Sequence, residues 1–418
     1  MGSSRLLFIG NGGATVNAIQ AARAAGYTDN IDLVSDTPGQ AFNPMLSPYY
    51  LSGQILFEDC FPFGQGFYKN HNVTCHFGAP AEALDPLGKE LCIRGGERLI
   101  YDRCLIATGS SPVLPPVPGL KGSRYVYTLR TAEETICLKQ AMPKARNALI
   151  LGASLVGVKL AEIFVKQGLK VTLVDIADQV LPHAANPECA ALVSDRIKNN
   201  GVELRLSQAL TAVEDSQKEA HFHFQGNETL TADLCLVSTG VRANLDFLQN
   251  SGVQIDQGIL VDDRMCTSAE DLYAAGDVSQ GTHLLSGKKE LIGLWGNACY
   301  QGRTAGFNMA GVKASHPGGM PDHVNSFFGL TFVHLGDVNR LGDDIKVLSN
   351  HDLSEGWYRL MVFDKNVLVG ANLINGFQNA GKLRTAILRK TDWSKYLDRS
   401  LKIPTDQEIN EVVAANQI

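Results

Sequence analysis

The sequence predicts an α/β protein with two doubly wound, dinucleotide-binding units of the Rossmann type and a smaller α+β unit towards its C-terminal end. Three observations carry this. A series of strand, glycine turn, helix, strand and acid occurs at 6–36 and again at 148–175. Each series is followed, further along, by an apolar strand ending in Thr-Gly, at 108–109 and at 239–240. Beyond a Gly- and Pro-rich stretch at 311–321, the pattern changes to a β-hairpin followed by a helix.

The first series opens with the apolar strand 6–9, which leads into Gly10, Asn11, Gly12, Gly13, Ala14 and Thr15. Val16, Ile19 and Ala22 then recur at helical spacing. Gly10 allows the sharp turn. Gly12 and Gly13 leave the helix N-terminus open, where free N–H groups and the helix dipole favour a pyrophosphate. The strand 31–35 ends at Asp36, a carboxylate placed to accept hydrogen bonds from both hydroxyls of an adenosine ribose. Thr15 stands where such turns usually end in Gly or Ala.

A chain of 418 residues accommodates two or three domains. Its 44% hydrophobic and 19% charged content fits a globular protein with large cores. The net charge of −6, with no long basic run, argues against nucleic-acid binding. No apolar stretch approaches the roughly 18 residues of a membrane span, and the run at 6–9 is too short for a signal peptide. Nine cysteines, an odd number with none in CxxC or CxxxxC spacing, predict reduced thiols in a cytoplasm, most of them small core residues. They also argue against a local zinc or iron–sulfur site.

After Asp36, the stretch 40–52 places Asn43, Met45, Ser47, Tyr49 and Tyr50 around Pro44 and Pro48. The prolines are expected to interrupt any helix here, leaving either an apolar floor with polar contacts or a capped surface loop. The aromatic, glycine-rich 57–68 reads as a loop packed on something flat. A short strand is expected at 73–76, and strands at 90–93 and 98–101 suggest a small β-meander. The strand at 101–109 ends in Ala107-Thr108-Gly109, and the prolines at 112, 115, 116 and 118 form a stiff connector.

The second series runs from the strand 148–151 through the turn Gly152, Ala153, Ser154, Leu155, Val156, Gly157, a helix at 159–167 and a strand at 170–174 to Asp175. Two such series in one chain are not a coincidence of glycine turns. No Arg or Lys lies within 174–179. A ribose 2′-phosphate would meet Asp175 without a cation, which predicts NAD(H) over NADP(H). Strands follow at 202–206, 211–214, 221–224 and 233–240. His221 and His223 alternate with Phe222 and Phe224, which predicts a solvated histidine face. Asp277 directly follows a small-residue strand end, where a carboxylate can point into a ligand crevice. A helix starting near Trp295 runs to about residue 310. In the last segment, 357–363 and 367–374 form a hairpin around 364–366, 382–389 is helical, and Trp393, Tyr396 and Leu397 form a small apolar stripe. That stripe either docks on a partner or folds back on its own unit.

Together, these motifs resemble the pyridine nucleotide–disulfide reductase superfamily, in its branch of NADH-dependent rubredoxin and ferredoxin reductases. The resemblance rests on both fingerprints, Ala107-Thr108-Gly109 with the following Pro-Pro-x-Pro-Gly, Thr239-Gly240, and the Ala274-Ala275-Gly276-Asp277-Val278 string. It implies FAD on Gly10, Gly12, Gly13 and Ala14, with Asp36 on the ribose and Ala81 near the adenine. Thr108 and Gly109 would lie along the cofactor, Asp277 with Val278 at the ribityl chain, and Asn43, Ser47 and Pro48 beside the isoalloxazine. NAD would use Gly152, Ser154, Gly157 and Asp175, with Gly240 near its outer end. The implied domains are FAD-binding 1–117 and 245–321, an inserted NAD-binding 118–244, and a C-terminal interface domain 322–418.

Three departures bear on function. The family's disulfide reductases carry a CxxxxC in the helix after the first acid, and relatives such as coenzyme A-disulfide reductases and NADH oxidases carry one Cys there, whereas this chain has Phe42-Asn-Pro-Met-Leu-Ser-Pro48. Without a thiolate, no dithiol relay from the flavin is possible. Ser154 replaces the middle glycine of the second fingerprint, and Lys159 replaces a Glu that contacts the nicotinamide in relatives. No catalytic side chain is assigned, because the chemistry belongs to the cofactors. The expected activity is FAD-dependent electron transfer between NAD(H) and a partner redox protein or subunit, most simply an iron–sulfur one, in a hetero-oligomer. The thiol-free segment and the chain length also resemble the FAD subunit of tungsten-dependent aldehyde oxidoreductase complexes. The rival readings are a stand-alone NADH oxidase or quinone reductase, and a non-catalytic flavin-containing NAD-binding module.

Overall fold

A computed structural model of the chain describes residues 4–352, 356–400 and 402–415. Its contacts divide into two compact units. One comprises Met1–Ser111, Arg130–Ala132 and Val241–Gly319; the other comprises Pro112–Leu129, Glu133–Gly240 and Met320–Ile418.

The first unit is built on a five-stranded parallel sheet in the order Leu272–Ala274, Arg103–Ile106, Leu6–Ile9, Ile31–Ser35, Val73–Phe77. Leu6 pairs with Ile31 on one side and Arg103 on the other. A strand so placed is covered on both faces, which is why 6–9 is an unbroken apolar run. The helix Gly13–Ala24 buries Val16, Ala18, Ile19 and Ala22 and lies against the helix Trp295–Met309. A Cβ on Gly302 would sit 2.0 Å from the Ala14 carbonyl oxygen, and one on Gly306 2.2 Å from that of Ala18. The four-residue spacing puts both glycines on one helix face, letting the two backbones touch. The expected strands at 90–93 and 98–101 form an antiparallel meander, Glu90–Ile93 with Arg98–Ile100, which the unanticipated strand Ala81–Asp85 completes.

The prolines of 40–52 do not interrupt a helix. Pro44 opens the 3₁₀ turn Pro44–Leu46, where the Asn43 Oδ1 accepts from Met45 N at 3.0 Å. Pro48 occupies the first turn of the helix Ser47–Leu51. An N–H is unsatisfied there in any case, so proline costs nothing. The 57–68 stretch is likewise not all loop, since it contains the turn Glu58–Cys60 and the start of the helix Phe67–Asn70.

The second unit repeats the parallel pattern in the order Glu203–Arg205, Lys170–Val174, Asn147–Leu151, Leu234–Val237, Val126–Tyr127. Its helices are Leu155–Lys166 and Pro187–Asn199. In the antiparallel strand Ala220–Phe224, Phe222 and Phe224 are buried, and His221 and His223 share the more exposed face. His223 Nδ1 lies 2.9 Å from Thr229 Oγ1.

The same unit contains an antiparallel sheet in the order Asp322–Phe327, Leu330–Gly336, Val367–Ile374, Trp357–Asp364, Ile345–Asp352. Its tight hairpin turns on Lys365 and Asn366, both left-handed at φ 47° and 66°, as a two-residue connection requires. Asn372, wholly buried in this sheet, donates to the Ala184 carbonyl at 2.9 Å and accepts from Asn186 N at 3.0 Å. Tyr358 OH bonds the Asn186 Oδ1 at 3.1 Å. These bonds tie the C-terminal sheet to the loop before Pro187–Asn199. The apolar stripe of the tail folds back on its own sheet: Trp393 is buried against Phe363, ring centroids 5.5 Å apart, and Leu397 is buried with it. Residues 401 and 416–418 of that tail lie outside the described residues.

All nine cysteines are free thiols. Four are buried (Cys60, Cys104, Cys189, Cys235), four are half-buried and Cys137 is exposed. Core cysteines are therefore fewer than expected, because several sit on strands and helices whose other face meets solvent.

Candidate functional site: two glycine turns and the residues around them

In the first unit, Gly10 has φ +101°, and a Cβ there would fall 2.2 Å from the Ala107 carbonyl oxygen. Only glycine lets strand, turn and Ala107 coexist. Gly12 is different: a Cβ there would meet no atom within 4 Å. Gly12 is also the N-cap of Gly13–Ala24 and makes no side-chain cap. Among the described residues, the N–H groups of Gly12, Gly13 and Ala14 have no acceptor. The turn thus ends in open space lined by unsatisfied donors, which is what an anion needs. Gly13 lets the Trp295 indole lie against the turn, since a Cβ would be 3.1 Å from its ring.

Thr15, the departure from Gly or Ala, has a structural cause. Its buried hydroxyl donates to the Gly10 carbonyl at 2.6 Å and locks the turn. Asn11 donates to the Gly39 carbonyl at 2.9 Å and accepts from Tyr68 OH. Asp36 is exposed just beyond its strand, and its carboxylate has no hydrogen bond among the described residues. Ala81 opens the meander opposite Ile93. Ser47 is buried in its short helix, while Pro48 is half-buried beside it.

Thr108, Gly109 and Asp277 converge on residues that no sequence motif singled out. Asn244 stitches the Thr-Gly segment. Its Nδ2 donates to the Thr108 carbonyl at 2.9 Å, its N to the Gly109 carbonyl at 3.0 Å, and its carbonyl accepts from Thr108 Oγ1 at 2.9 Å. Arg130 forms an ion pair of 2.5 Å with Asp277, whose carboxylate also accepts from Ser110 Oγ at 3.2 Å. Val278 offers no side chain to a ligand. It is fully buried, and its carbonyl accepts from Ile259 N. Arg130→Gln leaves the mostly buried Asp277 without its cation. Such unpairing costs on the order of 1–3 kcal/mol. The apoprotein should then melt at a lower temperature than the unaltered chain in differential scanning calorimetry, and an unchanged melt would mean that the pair contributes nothing to the fold.

In the second unit, Gly152 has φ +108°, and a Cβ there would be 2.5 Å from the Ser238 carbonyl oxygen. A Cβ on Gly157 would be 2.0 Å from the Gly152 carbonyl oxygen. Ser154 caps the helix, its Oγ accepting from Gly157 N at 3.2 Å, with Ser238 Oγ 3.4 Å away. The hydroxyl is thus turned along the helix N-terminus, and the exchange for glycine adds a cap. Asp175 accepts from Ala153 N at 2.6 Å and Ala177 N at 2.8 Å, which fixes its carboxylate at the rim of the turn. Gly240, at φ +119°, accepts from Val113 N at 3.0 Å, and Thr239 Oγ1 donates to the Val113 carbonyl. Lys159 is held by Glu162 at 2.8 Å and by the Ser326 carbonyl at 2.6 Å. Burial pushes the Glu162 carboxyl up, but the ammonium groups of Lys159 and Lys166 outweigh it and hold the carboxyl below its usual range.

Both turns therefore have the geometry of a dinucleotide cradle, one in each unit. Residues 4–302 match the family described as pyridine nucleotide-disulphide oxidoreductase. The chain belongs to that family. It is an FAD-dependent NAD(H) oxidoreductase, and the open cradle at Gly12 fits the pyrophosphate that such a cofactor brings. It is 31% identical over 405 residues to the NADH-dependent phenylglyoxylate dehydrogenase subunit epsilon of Aromatoleum evansii, covering 96% of this chain and 95% of that one. It is 26% identical to a rubredoxin-NAD(+) reductase of Pseudomonas putida, covering 91% and 98%. The fold matches putidaredoxin reductase in its covalent complex with putidaredoxin, with a TM-score of 0.91, 22% identity and 99% coverage of both chains.

The disulphide of the family's name has no counterpart here. The first cysteine of the chain is Cys60. It is buried, and its thiol is pushed up by that burial and by Asp59. A thiol held protonated is a poor nucleophile.

Proposed function

We propose that this chain carries electrons between NAD(H) and a partner redox protein or subunit, with no sulfur intermediate. The observation that carries the proposal is the pairing of two dinucleotide turns with a thiol-free segment after the first acid. FAD would be held by Gly10, Gly12, Gly13, Ala14, Asp36, Asn43, Ser47, Pro48, Ala81, Thr108, Gly109, Asp277 and Val278, the last through its backbone. NAD(H) would be held by Gly152, Ser154, Gly157, Asp175 and Gly240. The corresponding domains are 1–117 with 245–321 for FAD, 118–244 for NAD and 322–418 for the interface.

When bound, FAD supplies a group that takes two electrons as a hydride and releases them singly. The chain's own residues bind and orient. The free N–H groups of Gly12, Gly13 and Ala14 neutralise the pyrophosphate. Asp277, set by Arg130 and Ser110, presents a fixed acceptor. Asp175, set by two backbone N–H groups, accepts from ribose hydroxyls and repels a 2′-phosphate. The acceptor we propose is an iron–sulfur protein or subunit, and the assembly a hetero-oligomer. The relative named as subunit epsilon of an NADH-dependent dehydrogenase supports the subunit, while nothing in that name bears on tungsten. Free thiols fit a reducing cytoplasm, and no helix among the described residues is long and apolar enough to cross a membrane.

Stopped-flow mixing with NADH under argon tests this reading. The flavin absorbance should bleach within the turnover time, return quickly with a ferric one-electron acceptor and return slowly with oxygen. Rapid reoxidation by oxygen would favour the NADH oxidase reading, and no bleaching the non-catalytic one. Asp175→Arg should lower kcat/KM for NADH by roughly tenfold or more and raise it for NADPH. Steady-state kinetics with both nucleotides decides this, and unchanged selectivity would remove Asp175 from the site.

A further inference from the structure

The segment that supplies Asn43, Ser47 and Pro48 has a second face. Phe42, Tyr50, Phe57 and Phe61 pack in tilted and edge-to-face contacts, with centroids 5.5 Å apart for Phe42 and Phe61, 5.1 Å for Tyr50 and Phe57, and 5.3 Å for Phe57 and Phe61. Neighbours of this cluster are exposed apolar residues: Leu56 is 70% exposed, Met45 53% and Tyr49 44%. Leu56 is not a frayed tip, since its N–H donates to Asp59 Oδ2 at 2.9 Å. Contiguous exposed apolar surface with a polar rim marks an interaction site. The charge of this segment has one sign. Between Asp36 and Lys69 there is no Lys, Arg or His, while Glu58 and Asp59 fall within it. Glu58 and Asp59 are exposed beside Leu56.

We propose that this face, centred on Leu56, Met45 and Tyr49, docks the one-electron redox partner, a protein whose own docking surface is apolar with a basic rim. The inference rests on the function proposed above, because it uses the outer side of the segment assigned to the flavin. Ser47 is buried, whereas Met45 and Tyr49, two residues to either side, face solvent. The acidic rim steers a basic partner towards the face and repels an acidic one, and the apolar centre supplies the affinity. Each NADH gives up a hydride, which is two electrons and a proton. Two ferric partners therefore become ferrous while NAD⁺ forms and one proton is released.

The probe is cytochrome c, a basic haem protein, compared with a small acidic ferredoxin. Binding of each to the oxidised, FAD-loaded protein is measured by calorimetry at low salt, without NADH, so this readout does not depend on turnover. Cytochrome c should bind, more weakly as salt rises, and the acidic ferredoxin should not. Glu58→Lys should weaken that binding and lower kcat/KM for cytochrome c by about three- to tenfold. Leu56→Asp should weaken binding at all salt concentrations. Both variants should leave the rate of NADH oxidation with ferricyanide, a small acceptor that needs no docking, unchanged. Asp59 is left in place because it holds the turn. Equal binding of both probes, or no change with Glu58→Lys and Leu56→Asp, overturns the proposal. So does a dimer in sedimentation that Leu56→Asp converts to monomer, since the face would then belong to a second copy. Failure of NADH to reduce ferricyanide would instead strike the function proposed above and leave the binding result to judge this surface.

Discussion

Gly12→Ala is expected to give a protein that folds normally and purifies without its yellow colour. The added methyl meets no protein atom within 4 Å, so the apoprotein should melt within a degree or two of the unaltered chain. It would stand in front of the unpaired N–H groups of Gly12, Gly13 and Ala14, where the pyrophosphate must come within hydrogen-bond distance. Losing two or three charge-assisted bonds, at about 1.5–3 kcal/mol each, predicts at least a hundredfold weaker FAD binding. Gly10→Ala should behave differently. Its methyl is driven to 2.2 Å from the Ala107 carbonyl oxygen, on a backbone at φ +101°. Both obstacles are backbone, so neither can swing aside, and the central strand pairing must shift. That variant should lose thermal stability even without flavin. Differential scanning calorimetry of the apoproteins, with FAD titrations followed by fluorescence quenching, separates the two cases. Equal losses of stability would mean that Gly12 serves the chain and not a ligand.

That contrast also marks how far the sequence could be read. Periodicity and glycine spacing found both parallel sheets, because a buried parallel strand must be apolar throughout and its turn must lack side chains. The hairpin at 365–366 was legible for a similar reason: two left-handed residues leave a compositional trace. Pro44 and Pro48 misled because proline breaks a helix interior but suits its first turn, and short helices are mostly first turn. Arg130, Asn244 and Asn372 were invisible. Each acts through a partner more than a hundred residues away: Arg130 with Asp277, Asn244 with Thr108, Asn372 with Asn186. No local pattern announces a single polar side chain that meets its partner only after distant stretches of one unit have folded together. Thr15 and Ser154 looked like defects of their fingerprints. The structure shows each hydroxyl satisfying a backbone group that glycine or alanine would leave to other partners.

His334 gives the second large effect, a loss of stability in mild acid. Its ring is 2% exposed and faces His323 on the neighbouring strand, the two rings stacked with centroids 5.6 Å apart. On the other side its strand pairs with Val367–Ile374 at the neutral Asn372. Asp322 precedes His323, raises its imidazole against the burial, and is engaged by Arg384. His334 Nε2 lies 3.0 Å from the Gly336 carbonyl, while Nδ1 is buried with no partner. Burial, then the neighbouring His323, pulls the imidazole from 6.5 down to about 4. Burial lowers His323 as well. The sign follows from which state binds the proton first. Between pH 6.5 and about 4 the unfolded chain is protonated at His334 and the folded chain is not, so stability falls as pH falls. A shift of this size corresponds to about 3 kcal/mol, and the loss should level off below pH 4. A protein of two units need not unfold in one step, so the comparison is between wild type and His334→Phe. In urea melts followed by circular dichroism from pH 7 to 4, the variant should lose markedly less stability than the wild type. Parallel pH profiles would mean that this imidazole is not held neutral by the sheet. His323→Gln provides the independent check: removing the neighbouring ring should raise the His334 midpoint, read in two-dimensional proton–nitrogen spectra of the imidazoles, so that the loss is smaller and levels off at a higher pH than in the wild type.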